Sequence, residues 1–408
     1  WIDMLFLESF IHRMTLAQIV SRWMVNRPMS TDVKQLKEII NFNSYIARIW
    51  VEFFTKELAR RFYGKDCLSF SAKTKGMLKD FAVKHPAYTT PRITRLIDRY
   101  HRYPEDFYRE TPFDGKIYYY EGQDVPVFIG TTRIKRFRRI AEKGSRRIVD
   151  FLFERIREHA DDLAVERADR LGIAQKEQLV TPENIMIDEF SHAERRLIKS
   201  IRLGTIESEL PLLSIPDIVG VKVIVEQDRH SRFIETINAL KGCTLIEKEE
   251  HKGIYNAINL RIAYDLPREL LQNHPPSGRY AEIMSKRGFD LDQIHHRYNT
   301  FLTAGEDQVH LELIICNFND FIESEIGKSM HEERILTQRA NREYNSHLAT
   351  NIRYLMNYML TLCLAPSSPE YEDVPIKLWV KYMPDTIDCL IRNLYHVPAD
   401  SSFDAPKE

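Results

Sequence analysis

The sequence predicts an α+β protein in which a mixed β-sheet is flanked by helical N- and C-terminal regions. Residues 1–110 carry apolar side chains at helical spacing, and residues 336–395 return to that spacing. Between them, Ile218–Val225 is the clearest strand, because it is rich in β-branched residues. Strands that alternate with helices in this middle region indicate a mixed sheet with helices packed on it.

The spacing of apolar residues in the N-terminal region predicts a helical domain, which we expect to end near residue 130. Ile39, Ile46 and Trp50 are among the apolar residues that recur at spacings of three and four. From residue 110 the composition changes to Pro, Gly and Tyr, and Tyr118–Gly122 fits either a hairpin or an ordered linker. We therefore place a domain boundary near residue 130.

The middle domain is predicted to cover residues 131–335, with an insertion near 265–307. Its first element is a long charged helix, which we expect to be interrupted near Gly144. The elements that follow are a helix at 191–203, a strand at 218–225, a helix at 228–241, strands at 244–248 and 254–264, and a strand at 309–315. Residues 336–408 predict a helical C-terminal region with a disordered tail from Val397.

Whole-chain charge and cysteine content restrict the classes of partner. The 58 basic residues nearly match the 59 acidic ones, so only local clusters can indicate a charged ligand. The five cysteines are scattered without metal-ligand spacing, which argues against a disulfide framework or a zinc site. The most apolar stretch, Tyr354–Ala365, is too short to span a bilayer. We therefore expect a reduced cytoplasmic protein without a membrane partner.

Two acids stand out as candidate functional residues. Glu312 lies inside the apolar run Val309–Ile315. A carboxylate in such a run is costly to bury unless it pairs with a cation, binds a metal or faces an active-site cleft. Asp217 stands at the start of the strand Ile218–Val225. If the two strands are neighbours, both carboxylates can hold Mg²⁺ together with phosphate oxygens, although two acids can also be placed so by chance.

These segments resemble the RelA/SpoT synthetase domain. The residues Glu312–Phe318 read ELIICNF, where the family has E-x-Q-I-R-T-F. Ser324–Gly327 followed by His331 is similar to the family's A-E-L-G-x-x-x-H, and Ile215–Val225 is similar to its strand D-L-x-(A/G)-x-R-V-I-V. The blocks occur in the family's order within residues 190–336, about a third of the chain.

The resemblance implies a nucleotidyltransferase-like fold and an ATP pyrophosphokinase. The family transfers pyrophosphate from ATP to the ribose 3′-hydroxyl of a guanine nucleotide, which makes the stringent-response alarmone (p)ppGpp. Some relatives make adenine alarmones or modify the 3′ end of tRNA. By this resemblance Asp217 would bind Mg²⁺, and Glu312 would share the metal or activate the hydroxyl. Tyr255, one place late in the family's Gly-Tyr block, would stack on the acceptor base.

Two basic clusters are candidate phosphate-binding segments. The segment 133–147 is dense in Arg and Lys and suits phosphates of a nucleotide or an RNA, or simply a solvated helix face. The second cluster precedes the Asp217 strand, where the resembled family has a helix that binds ATP phosphates. The residues that we assign to nucleotide or phosphate binding are Arg195, Arg196, Lys199, Arg202, Lys222 and Tyr255.

A second hypothesis is a catalytically degenerate protein that binds or regulates through a nucleotide or RNA without turnover. Ile314 and Cys316 replace the family's Gln and Arg, which removes two polar groups from the strand. Glu325, Gly327 and His331 also fit a structural role in a closely packed helix. The retained acids Asp217 and Glu312 favour the enzyme.

Overall fold

The computed structural model describes residues 5–123, 125–174, 177, 179–205, 213–253, 256–340, 346–366 and 376–396. Tyr255, the tail 397–408 that we expected to be disordered, and the side chain of His331 lie outside the described residues.

The β-structure consists of one seven-stranded mixed sheet and one two-stranded sheet. The strands are β1 (Leu5–Leu7), β2 (Leu68–Thr74), β3 (Pro112–Glu121), β4 (Pro126–Ile134), β5 (Leu213–Ile215), β6 (Val219–Ile224), β7 (Cys243–His251), β8 (Ala257–Asp265) and β9 (Gln308–Cys316). The large sheet has the order β2-β3-β4-β6-β9-β8-β7, and β1 pairs with β5. Among the strand pairs of the large sheet that the structure describes, β6 with β9 is the parallel one. The predicted mixed sheet with flanking helices is confirmed.

The helices surround this sheet. They are α1 (Arg13–Met24), α2 (Asp32–Tyr63), α3 (Lys75–Lys84), α4 (Pro91–Arg102), α5 (Phe137–Arg170), α6 (Glu183–Leu203), α7 (His230–Asn238), α8 (Arg268–Gln272), α9 (Gly278–Lys286), α10 (Ile294–Ala304), α11 (Phe318–Ile322), α12 (Met330–Ala340), α13 (His347–Leu364) and α14 (Met383–Leu394). A π-helical turn, Glu323–Gly327, joins α11 to α12. A search of the described helices finds none with the length and apolar content needed to cross a bilayer.

The two faces of the sheet differ because side chains alternate along a strand. In β9, Val309, Leu311 and Leu313 are fully buried in the main core, together with Trp50 of α2. Glu312 lies on the opposite face and is only half-buried. A smaller core of α3, α4 and α11 covers part of that second face and leaves the region around Glu312 open.

The N-terminal region contributes strands as well as helices. The predicted boundary at residue 130 falls inside β4, and β3 and β4 form a hairpin where the sequence left hairpin and linker open. Strands β1 and β2 lie in the region before residue 110 that the sequence predicts as helical, and local patterns miss them because their pairing partners are distant in sequence. Helix α5 also continues through Gly144, where a Cβ would lie 3.1 Å from both Leu5 and Met356.

Candidate functional site

A cleft of about 300 Å³ opens on the face of the sheet that carries Glu312. The sheet register aligns Arg133 of β4, Gly220 of β6 and Glu312 of β9 in one cross-strand row. Lys222 and Ile314 form the next row. Side chains in such rows point to the same face, so strands distant in sequence together form the floor of the cleft.

Positive charge dominates the cleft. The basic side chains that line it are Lys75, Arg133, Lys135, Arg136, Arg139, Lys143, Lys222 and Arg334. The acidic ones are Asp114, Asp217, Glu312 and Glu325. Eight basic and four acidic groups leave a formal excess of four positive charges, with His251 counted as neutral. A polyanion is the ligand that such a field attracts.

Asp217 is fixed by two lysines at one end of the cleft. Lys135 Nζ lies 2.6 Å from Asp217 Oδ2, and Lys143 forms a second ion pair with the same oxygen. Burial alone would raise the pKa of Asp217, but the two ammonium groups hold it well below its usual range. Its other carboxylate oxygen, Oδ1, is buried and has no hydrogen-bond partner among the described residues.

The local fold explains this contact. Strands β4 and β6 are antiparallel with Ile134 opposite Val219, so Lys135 directly follows the paired region and its backbone N–H donates to Ile218 O at 2.9 Å. Burial lowers the pKa of Lys135 to about 7, and the charge of Arg133 adds to this effect, whereas Asp217 opposes it. Lys135 is thus an ammonium group whose charge responds to pH near neutrality.

Helix α5 begins at the mouth of the cleft and supplies further cations. Arg136 is its N-cap residue, and Arg139 and Lys143 follow on its first two turns. The N-terminal end of a helix dipole favours negative charge, so α5 adds to the attraction that these side chains exert on an anion.

Glu312 is the carboxylate of the cleft that remains without a partner. It forms no hydrogen bond or ion pair with the described residues, although Arg133 stands one strand beyond its neighbour Gly220. Because Gly220 has no side chain, nothing from β6 covers Glu312, and a Cβ at Gly220 would lie 4.0 Å from Glu312 Oε2. The Glu312 carboxylate is therefore open to contact with a ligand in the cleft.

A buried ion cluster supports the other end of the cleft. Lys75 Nζ of α3 lies 2.7 Å from Glu325 Oε2, and Lys222 Nζ lies 3.5 Å from Glu325 Oε1. Burial would raise the pKa of Glu325, but these cations hold it well below its usual range. Glu332 of α12 is 3.7 Å from Lys75 Nζ and 4.0 Å from Lys79 Nζ. The cluster therefore connects α3, β6, the π-helical turn and α12.

The donor atoms of the cleft fit Mg²⁺ that arrives with phosphate better than a free ion. Within the described ranges no group of three or more His, Cys, Asp or Glu side chains is arranged to hold a metal. Glu312 supplies the available carboxylate oxygens, because Asp217 Oδ1 is buried and Asp217 Oδ2 is paired with two lysines. The positive surroundings repel a bare divalent cation. Mg²⁺ commonly takes one or two carboxylates and completes its shell with phosphate and water, so Glu312 would be the carboxylate ligand of such an ion here.

The structure brings some of the predicted site residues together and separates others. Asp217, Glu312 and Lys222 line one cleft. The four cations of α6 are exposed and do not line it; their place is taken by the cluster that starts at Arg133. Lys75 and Arg334 were not anticipated, because no local pattern places residues of α3 and α12 beside β6. The sequence feature that could identify Arg133 and Lys143 as phosphate-binding residues is the dense run of basic residues directly after a strand.

The arrangement combines an excess of cations with one carboxylate fixed by lysines and one without a partner. Such a site can bind a polyanion and present a proton acceptor to it. Comparison with known proteins adds no family to this description: no protein-family model, no curated protein and no solved structure matches the chain.

Proposed function

We propose that the protein is a divergent relative of the RelA/SpoT synthetases that transfers pyrophosphate from ATP to a nucleotide hydroxyl with Mg²⁺. The observation that carries this proposal is the unpartnered carboxylate of Glu312 in a cleft with an excess of cations. Asp217 lines the same cleft and precedes the neighbouring parallel strand. The resemblance of both strands to the family's motifs supports the same chemistry.

The cations at the start of α5 are suited to bind the triphosphate. Arg133, Arg139 and Lys143 combine planar guanidinium groups, which bind phosphate oxygens in pairs, with a compact ammonium group. Asp217 orients Lys135 and Lys143 towards the cleft and compensates part of their charge before the ligand binds. Bound with the triphosphate, Mg²⁺ would neutralise charge on the transferred group.

Glu312 is proposed to accept the proton of the attacking hydroxyl. The hydroxyl oxygen would form a bond to the β-phosphorus of ATP, and the bond from that phosphorus to the α,β-bridging oxygen would break. AMP leaves with the bridging oxygen, and the proton passes to Glu312. A carboxylate without a competing ion pair is available for this transfer, whereas Asp217 is held by two lysines.

A second candidate function is nucleotide binding without turnover. It is favoured by the two ion pairs of Asp217, which direct one of its oxygens to protein cations instead of a metal. Both candidates require the cationic cleft to bind phosphate, and only the first requires Glu312.

The test is incubation with γ-labelled ATP, Mg²⁺ and, in turn, GDP, GTP, AMP, ADP or tRNA, with AMP release as a second readout. Glu312→Gln should lower transfer about 100-fold or more, the usual contribution of a general base, while ATP still binds. Asp114→Asn is the matched control, because Asp114 lines the same cleft but pairs with Arg48 at 2.6 Å. Its transfer rate should stay within about threefold of wild type, since it has no role in the proton transfer.

Three outcomes separate the candidates. Loss of pyrophosphate transfer in Glu312→Gln but not in Asp114→Asn supports the enzyme. ATP binding without transfer to any acceptor leaves only the binding protein. Absence of ATP binding to the wild-type chain contradicts both.

A further inference from the structure

The four cations of α6 form a surface separate from the cleft, which we name the α6 ridge. Its residues are Arg195, Arg196, Lys199 and Arg202. All four are exposed, and none lines the cleft. Ala193, Leu197 and Ile201 are the buried residues of α6 and belong to the main core, so the ridge points away from the body of the protein.

Within the described residues, the cations of the α6 ridge do not pair with acids as the cations of other helices do. On α5, Glu142 pairs with both Arg138 and Arg139, and on α2, Glu57 pairs with both Arg60 and Arg61. Paired residues three or four positions apart are the usual arrangement of a solvated charged helix. No carboxylate of the described residues forms an ion pair with any ridge residue.

The spacing of the ridge suits a chain of phosphates. Arg195, Lys199 and Arg202 lie at i, i+4 and i+7 on one face, which spans about 10 Å of helix at ~1.5 Å per residue. Arg27 lies beside the C-terminal end of α6, where its Nη2 donates to Leu203 O at 3.1 Å. Exposed His192 lies one turn before Arg195 on α6.

We propose that the α6 ridge binds the backbone of a single-stranded RNA, independently of the nucleotide cleft. Several cations without acids, in a row about 10 Å long, match repeated phosphates better than one compact anion. Three of the four cations are arginines, whose planar groups bind phosphate in pairs and stack on unpaired bases. An unpaired strand presents both features at once, whereas an acidic peptide offers only carboxylates.

The test is fluorescence anisotropy of a labelled 20-nucleotide single-stranded RNA with the full chain, without ATP. The ridge variant combines Arg195→Glu, Lys199→Glu and Arg202→Glu. The matched control combines Lys241→Glu, Arg279→Glu and Lys286→Glu, three exposed cations on other segments, and changes the net charge by the same amount. A milder ridge variant with Gln at the same three positions serves if the Glu variant does not fold.

The ridge variant should bind RNA at least about 30-fold more weakly, and its plot of log affinity against log salt should lose ~2 units of slope, about 0.7 for each phosphate contact. The control should stay within about threefold. Wild-type-like RNA binding by the ridge variants, or equal competition by polyglutamate, would overturn the proposal. Glu312→Gln should bind RNA normally, so this result is independent of whether pyrophosphate is transferred.

Discussion

Replacing Glu325 with Gln tests the strongest electrostatic feature of the structure. The Glu325 side chain is 5% exposed and that of Lys75 is 6% exposed, so water screens their 2.7 Å contact very little. Lys222 lies 3.5 Å away on the other carboxylate oxygen. The substitution keeps the shape of the side chain but removes the one negative charge that both lysines share.

The expected loss of stability follows from the cations that remain. Removing one partner of a buried ion pair costs about 3–5 kcal/mol, because the charge left behind stays desolvated without compensation. Glu332 lies 3.7 Å from Lys75 and compensates part of that charge, so we expect about 3 kcal/mol, the lower end of this range.

The measurement is urea denaturation at pH 7 followed by tryptophan fluorescence, with the free energy of unfolding extrapolated to water. Glu323→Gln is the matched control from the same π-helical turn, since Glu323 pairs with the 52% exposed Arg92. An exposed pair of this kind contributes at most about 1 kcal/mol. Equal losses in the two variants, or a loss below about 1 kcal/mol for Glu325→Gln, would refute the reasoning.

Three further expectations concern pH and the cleft floor. The pKa of Glu325 is lowered, so the stability that Glu325 adds to the folded protein is complete above pH 4.5, the ordinary carboxyl value, and is lost as the pH falls below it. Glu325→Gln should therefore lack this part of the acid denaturation curve. The ATP affinity of the wild type should fall by up to about tenfold per pH unit above 7, because Lys135 loses its proton there. Calorimetric titration should show a weaker dependence of ATP affinity on pH for Lys135→Arg. Gly220→Ala should fold with a stability within about 1 kcal/mol of wild type, because its Cβ makes an ordinary 4.0 Å contact with Glu312, but it should weaken ATP binding by narrowing the cleft floor.

Local patterns were sufficient to predict the mixed sheet and its two most informative strands, whereas the adjacency of these strands was only a condition of the predicted metal site. The β-branched run before Val225 and the apolar run around Glu312 are read directly as strands, and the structure pairs them in parallel. The position of Glu312 on the open face also follows from the alternation of side chains along β9. The two strands and the direction of their side chains depend on residues that are close in sequence.

The partners of the acids depend on distant residues, and there sequence reasoning failed. The α6 cluster and the segment after Arg133 have the same composition, and only the pairing of β4 with β6 brings the latter to Asp217. Likewise, Glu325 has the pattern of a family motif, but its binding to Lys75 across 250 positions is a tertiary contact that no periodicity encodes. Hydrophobic periodicity specifies which face of an element is buried, and it leaves the neighbours of a polar side chain undetermined.

The N-terminal region contributes residues to the cleft and to the sheet beneath it. Strand β4 crosses residue 130: its residues Gly130–Ile134 pair with β6, and its other edge pairs with β3, which lies before the boundary. Lys75, also before residue 130, compensates Glu325, which in turn holds Lys222 at the cleft. Because an exposed sheet edge and an uncompensated buried carboxylate are both costly, we expect the cleft to lose this geometry without β3 and Lys75.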